Sequence, residues 1–362
     1  MSEKYFLKRI EKLRNKLAEI GGEGMIVNSL PHIRYLCGFT GSSATMVVLS
    51  NSVHFITDGR YVFQSKAEVR GAEIIIDSKP HVEVIKDKKI FSSGQKIAFD
   101  SSAISHSAFL DISKQLSFVS LIETTSIIEK IAAVKDKDEI EAIKTAVEIT
   151  DFVFGEVFPM VRIGAQEKEI STKLSYLYRL HGDADSDAFA AIVGAGPNSA
   201  KPHHKPTDRK IGQGELIVID SGAKFAGYHA DMTRSFATKG FSEQQKEIYD
   251  IVLRAQVESI KQIKSGVPCV KIDSVARDII SQEGYGKFFD HGLGHSIGLQ
   301  IHENPRFSKV SKDILQSGNV MTVEPGVYVD SVGGVRIEDD VVVTNEGCEI
   351  LNKTPKDFTV IS

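Results

Sequence analysis

The sequence predicts two domains, an α/β unit over residues 1–127 and an α+β unit over 128–362. Three observations carry that expectation. A length of 362 residues is long for a single hydrophobic core. Up to about residue 127, strand-like apolar runs alternate with helical periodicity, the pattern of an α/β domain. Beyond it, helical stretches are followed by apolar strands that each contain a carboxylate, an α+β arrangement.

In the first half, Leu7, Ile10, Leu13, Leu17 and Ile20 recur at three- to four-residue steps and predict an amphipathic helix that Gly21 and Gly22 stop. GMIVNS (24–29) reads as a buried strand, and ATMVVLS (44–50) and SVHFITD (52–58) as a hairpin. A helix is expected over 59–69, strands over 72–78 and 96–102, and a helix over 107–116. No Walker loop or GxGxxG occurs here, so the pattern alone assigns this half no chemistry.

In the second half, residues 128–150 are charge-rich with helical period and read as one helix opening the domain, with Ile140, Ile143, Val147 and Phe152 facing inward. Further helices are expected at 166–181, 243–264 and 270–283, the last two joined through Gly266 and Pro268. Two helix pairs each precede a strand section, which hints at an internal duplication without a visible sequence repeat. The strands are IVIDSGA (217–223), YHADMTRSF (228–236), VMTVEPGVYV (320–329) and VRIEDDVVV (335–343). Residues 351–362 read as a terminal strand or tail.

Composition narrows the function. The net charge is −4 with no basic block, which argues against nucleic acid as partner. The apolar runs are strand-sized, too short for a membrane span. The first residues, MSEKYFLKRIEKLRNKL, lack the apolar core and cleavage site of a secretion signal. Cys37, Cys269 and Cys348 are odd in number and scattered, as expected for reduced thiols in a cytoplasmic protein.

The stretch HGLGHSIGLQIHE, from His291 to Glu303, carries three His and three Gly. Gly292, Gly294 and Gly298 argue against a helix, leaving an extended or looped segment that brings backbone and imidazoles close to a ligand. Each acidic strand buries at least one carboxylate in an apolar run, and buried charges need a partner or a metal. Asp220 and Asp231 lie on strands joined by a short turn, where antiparallel pairing can set them side by side. Two bare carboxylates in one site repel, so one is protonated or a cation sits between them. Glu324, at the end of its strand, Glu338 and His295 complete a set of four carboxylates and one imidazole. Such a set suits Mn, Co, Fe or Zn. It exceeds what one metal needs, and two metals about 3.5–4 Å apart would use it fully.

These residues carry a resemblance. IDSGA, HADMTRSF, HGLGHSIGLQIHE, VEPGVY and VRIED occur in this order, and the region 128–362 resembles the pita-bread fold of the metal-dependent aminopeptidase and prolidase group. NSLPHIRYLCGFTGSS and FITDGRY in the first half look like the creatinase-type N-terminal domain of Xaa-Pro peptidases. The resemblance implies that Asp220, Asp231, His295, Glu324 and Glu338 hold two divalent metals, with Mn expected and Co, Zn or Fe as alternatives. It implies that His203 and His302 contact the substrate or stabilise the tetrahedral intermediate, with His204 as the alternative to His203. His291 would line the pocket on the proline side, Arg336 would lie near the substrate end, and Glu324 would double as proton shuttle. Ser296 stands where the group commonly has Gly, and Lys201 where an apolar residue is common. A homodimer is also implied.

The expected activity is that of an Xaa-Pro aminopeptidase, acting on short peptides with proline in second position. A prolidase, cutting only Xaa-Pro dipeptides, is the alternative; chain length and CGFTGSS favour the aminopeptidase. Proline nitrogen in a peptide carries no N–H, so a dedicated pocket is reasonable. A methionine aminopeptidase would lack the first domain and a creatinase the metal ligands. A non-catalytic binding relative would have lost a ligand, and a metal-storage role would not need the extra His and Arg.

Overall fold

The computed structural model describes residues 2–181 and 184–362 and divides into two compact units, 1–132 and 133–362.

Among its described residues the first unit contains a six-stranded sheet in the order Glu73–Ile76, Val53–Thr57, Thr45–Leu49, Gly24–Val27, Lys96–Asp100, Ser120–Thr124. The expected hairpin forms: Thr45–Leu49 and Val53–Thr57 pair antiparallel. Lys96–Asp100 runs parallel to both its neighbours. Ile26, Val47, Ile56 and Ile97 of the sheet pack with Val84, Ile85, Ile112 and Leu116, which lie on or just after the helices His81–Asp87 and His106–Gln115. The first helix, Glu3–Glu19, buries Phe6, Ile10, Leu13 and Leu17. Leu7 and Ile20 of the expected stripe are instead 49% and 44% exposed. The stripe begins one residue earlier, at Phe6, and Ile20 falls beyond the last turn. Residues 59–69 form a short 3₁₀ turn and the helix Val62–Glu68. Sequence periodicity missed the helices Leu30–Cys37 and His81–Asp87 and the strand Ser120–Thr124.

The single helix expected over 128–150 is two helices, Ile127–Ala132 and Lys137–Val157. Asp136 breaks it by accepting from the Glu139 backbone, while the Glu139 side chain accepts from the Asp136 backbone, a capping box that starts a new helix. Ile143 and Val147 are buried as expected, but Phe152 is 58% exposed. The inner stripe continues through Thr150, Val153, Phe154 and Val157, which turns Phe152 outward.

Each of the four acidic stretches expected as one strand is two, because the chain changes sheet within it. Leu216–Ser221 belongs to a four-stranded sheet and Ala223–Phe225 to a three-stranded one; Tyr228–His229 and Met232–Thr238 reverse that passage. Val320–Val323 belongs to a five-stranded sheet and Gly326–Val329 to a two-stranded one; Gly333–Arg336 and Asp339–Val343 reverse it. The strand counts refer to the described residues. The two hairpins share one plan, and each follows a helix pair: Lys137–Val157 with Glu167–Leu180, then Glu243–Ile260 with Cys269–Gln282. The duplication hinted at by the order of elements is therefore present as a repeated topology. Gly222 permits the first change of sheet, since a Cβ there would stand 1.8 Å from the Ala230 carbonyl oxygen. No helix among the described residues is long and apolar enough to cross a membrane.

Candidate metal centre

The acids lie where the strands break. Asp231, Glu324 and Glu338 fall in the gaps between paired segments, and Asp220 is one residue from the end of its strand. A residue in such a gap is free of the alternation that would send it to the opposite face of a sheet, so four carboxylates from two hairpins can point inward together. Asp220 faces Thr233 in the antiparallel register and Ser221 faces Met232, so Asp231 is a diagonal rather than a direct neighbour of Asp220. Ligand oxygens of Asp220, Asp231 and Glu338 lie within 4.8 Å of one another. His295, on the strand Gly294–Ser296, brings Nε2 to 3.8 Å from Asp231 and 3.3 Å from Glu324.

Three of the acids, Asp220, Glu338 and Glu324, are oriented through one oxygen each. Arg336 donates to Asp220 Oδ2 at 2.6 Å, and Thr233 Oγ1 donates to Glu338 Oε2 at 2.6 Å. Thr322 Oγ1 accepts from the His295 N–H at 3.0 Å and donates to Glu324 Oε1 at 3.1 Å. Asp220 Oδ1, Asp231 Oδ1 and Glu338 Oε1 are buried without a hydrogen-bond partner. Burying an unsatisfied acceptor costs about 1–3 kcal/mol, more when it is charged. Three of them converging beside an imidazole fit a divalent metal centre.

Burial, and then the charges of Glu338, Asp220 and Glu324, hold Asp231 well above the usual carboxylate range. Burial, and then Glu324 and Asp220, do the same to Glu338. Asp220 is raised by burial, against the opposing charge of Arg336. For Glu324 burial also acts upward, but the hydrogen bond and charge of His295, together with the charges of His291 and Arg336, outweigh it and bring the group down to about 2. A raised folded pKa favours the folded state at low pH and penalises it as pH climbs past the unfolded value. Stripped of metal, the protein is therefore expected to lose thermal stability as pH rises through and above the ordinary carboxylate range. The lowered Glu324 acts only below this window. A divalent cation displaces those protons, so its stabilising effect should grow with pH. Melting temperatures with chelator and with Mn²⁺ across that range check this; a chelated protein that gains stability with pH would contradict it.

His302 stacks edge-on against His295, with ring centroids 4.5 Å apart. Its pKa is lowered by partial burial and then by the charges of His295 and Arg306. His203 is exposed and lies near enough to His291 and His302 to depress both electrostatically. His204 turns the other way: it is buried, and its Nε2 lies 2.9 Å from Glu167 Oε2, so of the two candidates His203 is the one beside the cluster. His291 sits with Nε2 3.1 Å from the Tyr328 hydroxyl. Arg336, expected near the substrate, is only 3% exposed. Besides Asp220 it donates to Thr233 Oγ1 at 3.0 Å, Tyr328 OH at 2.8 Å and Pro202 O at 3.2 Å.

Several contributors lay beyond sequence reasoning. Thr233, Thr322 and Tyr328 hold the cluster through hydroxyls. Asp340 Oδ2 accepts from the Asp231 N–H at 2.9 Å. The buried Lys135 donates to Ser296 Oγ at 2.7 Å and to Glu303 at 3.0 Å, which gives the Ser at this position a partner. Thr233 and Asp340 stand beside acids already singled out, a local signal; nothing in the sequence ties Lys135 to Ser296.

Gly294 is a packing requirement. A Cβ there would lie 2.1 Å from Thr322 O and 2.8 Å from Thr322 Oγ1, the hydroxyl that positions both His295 and Glu324. Gly294→Ala is expected to cost about 1–3 kcal/mol or more, as overpacking does. Urea midpoints would register it, and an unchanged midpoint would count against this packing.

Comparisons with known proteins place the chain in a family. The family model for metallopeptidase family M24 matches residues 141–345, and that for the creatinase/prolidase N-terminal domain matches residues 9–134. The chain is similar to the uncharacterized peptidase YqhT of Bacillus subtilis, at 35% identity over 98% of this chain and 100% of the relative. Among solved structures it resembles an Xaa-Pro dipeptidase from Bacillus anthracis, with TM-score 0.94, 36% identity and coverage of 98% of this chain and 100% of that one. It also resembles an X-Pro aminopeptidase from Thermotoga maritima, with TM-score 0.88, 37% identity and coverage of 96% and 100%.

Proposed function

The chain belongs to metallopeptidase family M24, and from that premise we propose that it hydrolyses the bond between an N-terminal residue and a following proline. It is a hydrolase, built as a creatinase-type α/β N-terminal unit and an α+β pita-bread unit. The observation that carries the reading is the convergence of two hairpins' carboxylates, with three partnerless oxygens, beside His295. On this reading Asp220, Asp231, His295, Glu324 and Glu338 hold two divalent metals, with Mn²⁺ expected. When bound, the metals would supply an activated water and polarise the scissile carbonyl.

The chain's own groups do the rest. Glu324 takes a proton from the attacking water and returns it to the departing proline nitrogen. The depressed pKa of His302 keeps that imidazole neutral near pH 7, with one N–H to donate. His203 and His302 give hydrogen bonds to the oxyanion that develops on the carbonyl. His291, steadied by Tyr328, borders the proline ring.

Substrate length separates two readings. Arg336 commits its guanidinium to Asp220, Thr233, Tyr328 and Pro202, which leaves little of it for a dipeptide's carboxylate and favours the aminopeptidase. The likeness to the Bacillus anthracis Xaa-Pro dipeptidase favours the dipeptidase, as does Arg306, an exposed residue opposite His295 in register and available to pair with a terminal carboxylate. An assay of metal-stripped protein on an Xaa-Pro dipeptide and an Xaa-Pro-Xaa tripeptide, with and without Mn²⁺, decides. Metal-restored cleavage of the tripeptide at Xaa–Pro supports the aminopeptidase. Cleavage of the dipeptide alone moves the assignment to the dipeptidase, and cleavage of neither removes the proposal. The three free cysteines fit a reducing cytoplasm. A homodimer is expected from the family resemblance and is read by light scattering.

A further inference from the structure

We propose that the N-terminal unit binds a divalent transition-metal ion of its own, held by His32, Asp100 and Glu129. The sheet assembles the site. The strands Gly24–Val27 and Lys96–Asp100 are parallel neighbours, so both end at the same edge, and ligands gather outside the carboxyl ends of such strands. His32 lies on the helix Leu30–Cys37 just beyond the first strand, and Asp100 is the last residue of the second. Glu129 comes from the helix Ile127–Ala132. One ligand atom from each residue lies within 4.8 Å of the other two, and His32 Nε2 is 3.5 Å from Glu129 Oε1. Tetrahedral coordination with bonds of about 2.0–2.2 Å puts ligand atoms about 3.3–3.6 Å apart, so this pair already has the spacing of a shared ion.

The second observation is independent of the clustering. His32 and Asp100 are only 6% and 7% exposed, yet His32 Nε2 and Asp100 Oδ2 have no hydrogen-bond partner, and neither does Glu129 Oε2. Asp100 Oδ1 accepts from the Ser102 N–H at 2.9 Å and from Ser102 Oγ at 2.6 Å, which leaves Oδ2 free. An ordinary ion pair does not account for this. At 3.5 Å the His32–Glu129 contact is too long for a good hydrogen bond, and it would leave Asp100 Oδ2 unsatisfied. His32 and Asp100, though not Glu129, also line a cavity of about 10 Å³, about the space of one water. One imidazole and two carboxylates select a borderline divalent ion such as Zn²⁺, Co²⁺ or Mn²⁺ over a thiolate-seeking one. Three protein ligands leave a position for water. The ion would tie the last helix of the unit to its sheet, a structural clip that needs no part in peptide hydrolysis.

The test uses the full chain and Co²⁺ as probe, with the second unit's cluster disabled by Asp231→Asn and Glu338→Gln. Equilibrium dialysis with elemental analysis should find one equivalent fewer of Co²⁺ when His32→Gln is added to that background. In the same background, Co²⁺ should raise the melting temperature, and His32→Gln should abolish the rise. Equal Co²⁺ content with and without His32→Gln, or no Co²⁺ bound by the disabled background, overturns the proposal. Glu129→Gln, at a side chain 25% exposed and tolerant of replacement, gives the same reading should His32→Gln fail to fold. Both readouts are binding measurements, so they stand or fall separately from peptidase activity.

Discussion

Asp231→Asn is expected to lower kcat/KM on an Xaa-Pro substrate by at least about 10³-fold, or about 4 kcal/mol of transition-state stabilisation, while raising the melting temperature of the metal-free protein. Asn preserves the shape of the side chain but removes the charge. Asp231 stands between the carboxylates of Asp220 and Glu338 and the imidazole of His295, so no other acid can replace it without moving a hairpin. The same crowding makes its negative charge a burden when no cation is present, because burial and Glu338, Asp220 and Glu324 all push its pKa upward. A neutral amide relieves that repulsion and can donate to a neighbouring carboxylate. Activity and metal-free stability should thus move in opposite directions, the trade-off typical of a site built around a ligand. Kinetics, elemental analysis and melting in chelator provide the three readings. A variant that keeps more than a tenth of the activity, or that melts lower in chelator, would remove Asp231 from the metal centre.

The acids were legible because each interrupts an apolar run, and a carboxylate flanked by Ile, Val or Met demands a reason. What was not legible is that the runs themselves are interrupted. IVIDSGA reads as one strand because strand propensity is local, whereas the break after Ser221 depends on the Ala230 carbonyl crossing at Gly222, eight residues away. The same limit merged two helices into one over 128–150, where a capping aspartate is hard to tell from any other charge in KDKDE. Partners distant in sequence leave no local trace. Lys135 meets Ser296 and Glu303 only in the fold, and Asp340 reads as one of several strand acids until its oxygen is seen holding the Asp231 backbone. The His32, Asp100 and Glu129 group shows this most plainly, since nothing in the sequence links its members. His203 and His204 could be ranked from their surroundings in the sequence, but only Glu167 shows that His204 is occupied elsewhere.

Arg336 supplies the sharpest difference between the two views. The family resemblance implied a residue near the substrate; the structure makes it the clamp on Asp220. Four hydrogen bonds leave its guanidinium at most one free N–H of five. Arg336→Met is therefore expected to leave Asp220 buried without the opposing charge that pairs with it, and breaking a buried pair in this way costs about 3–5 kcal/mol of stability. With Asp220 no longer oriented, metal affinity and kcat should fall about 10–100-fold, the usual consequence of losing a partner behind a ligand. Arg336→Lys should recover part of the stability and little of the activity, because an ammonium cannot span Asp220, Thr233 and Tyr328 in one plane. The split between kcat and KM separates the roles. A positioning residue lowers kcat and weakens metal retention with KM little changed. A rise in KM alone, with metal content intact, would return Arg336 to the substrate and reopen the dipeptidase reading, since a guanidinium free to meet a terminal carboxylate is what a dipeptide requires.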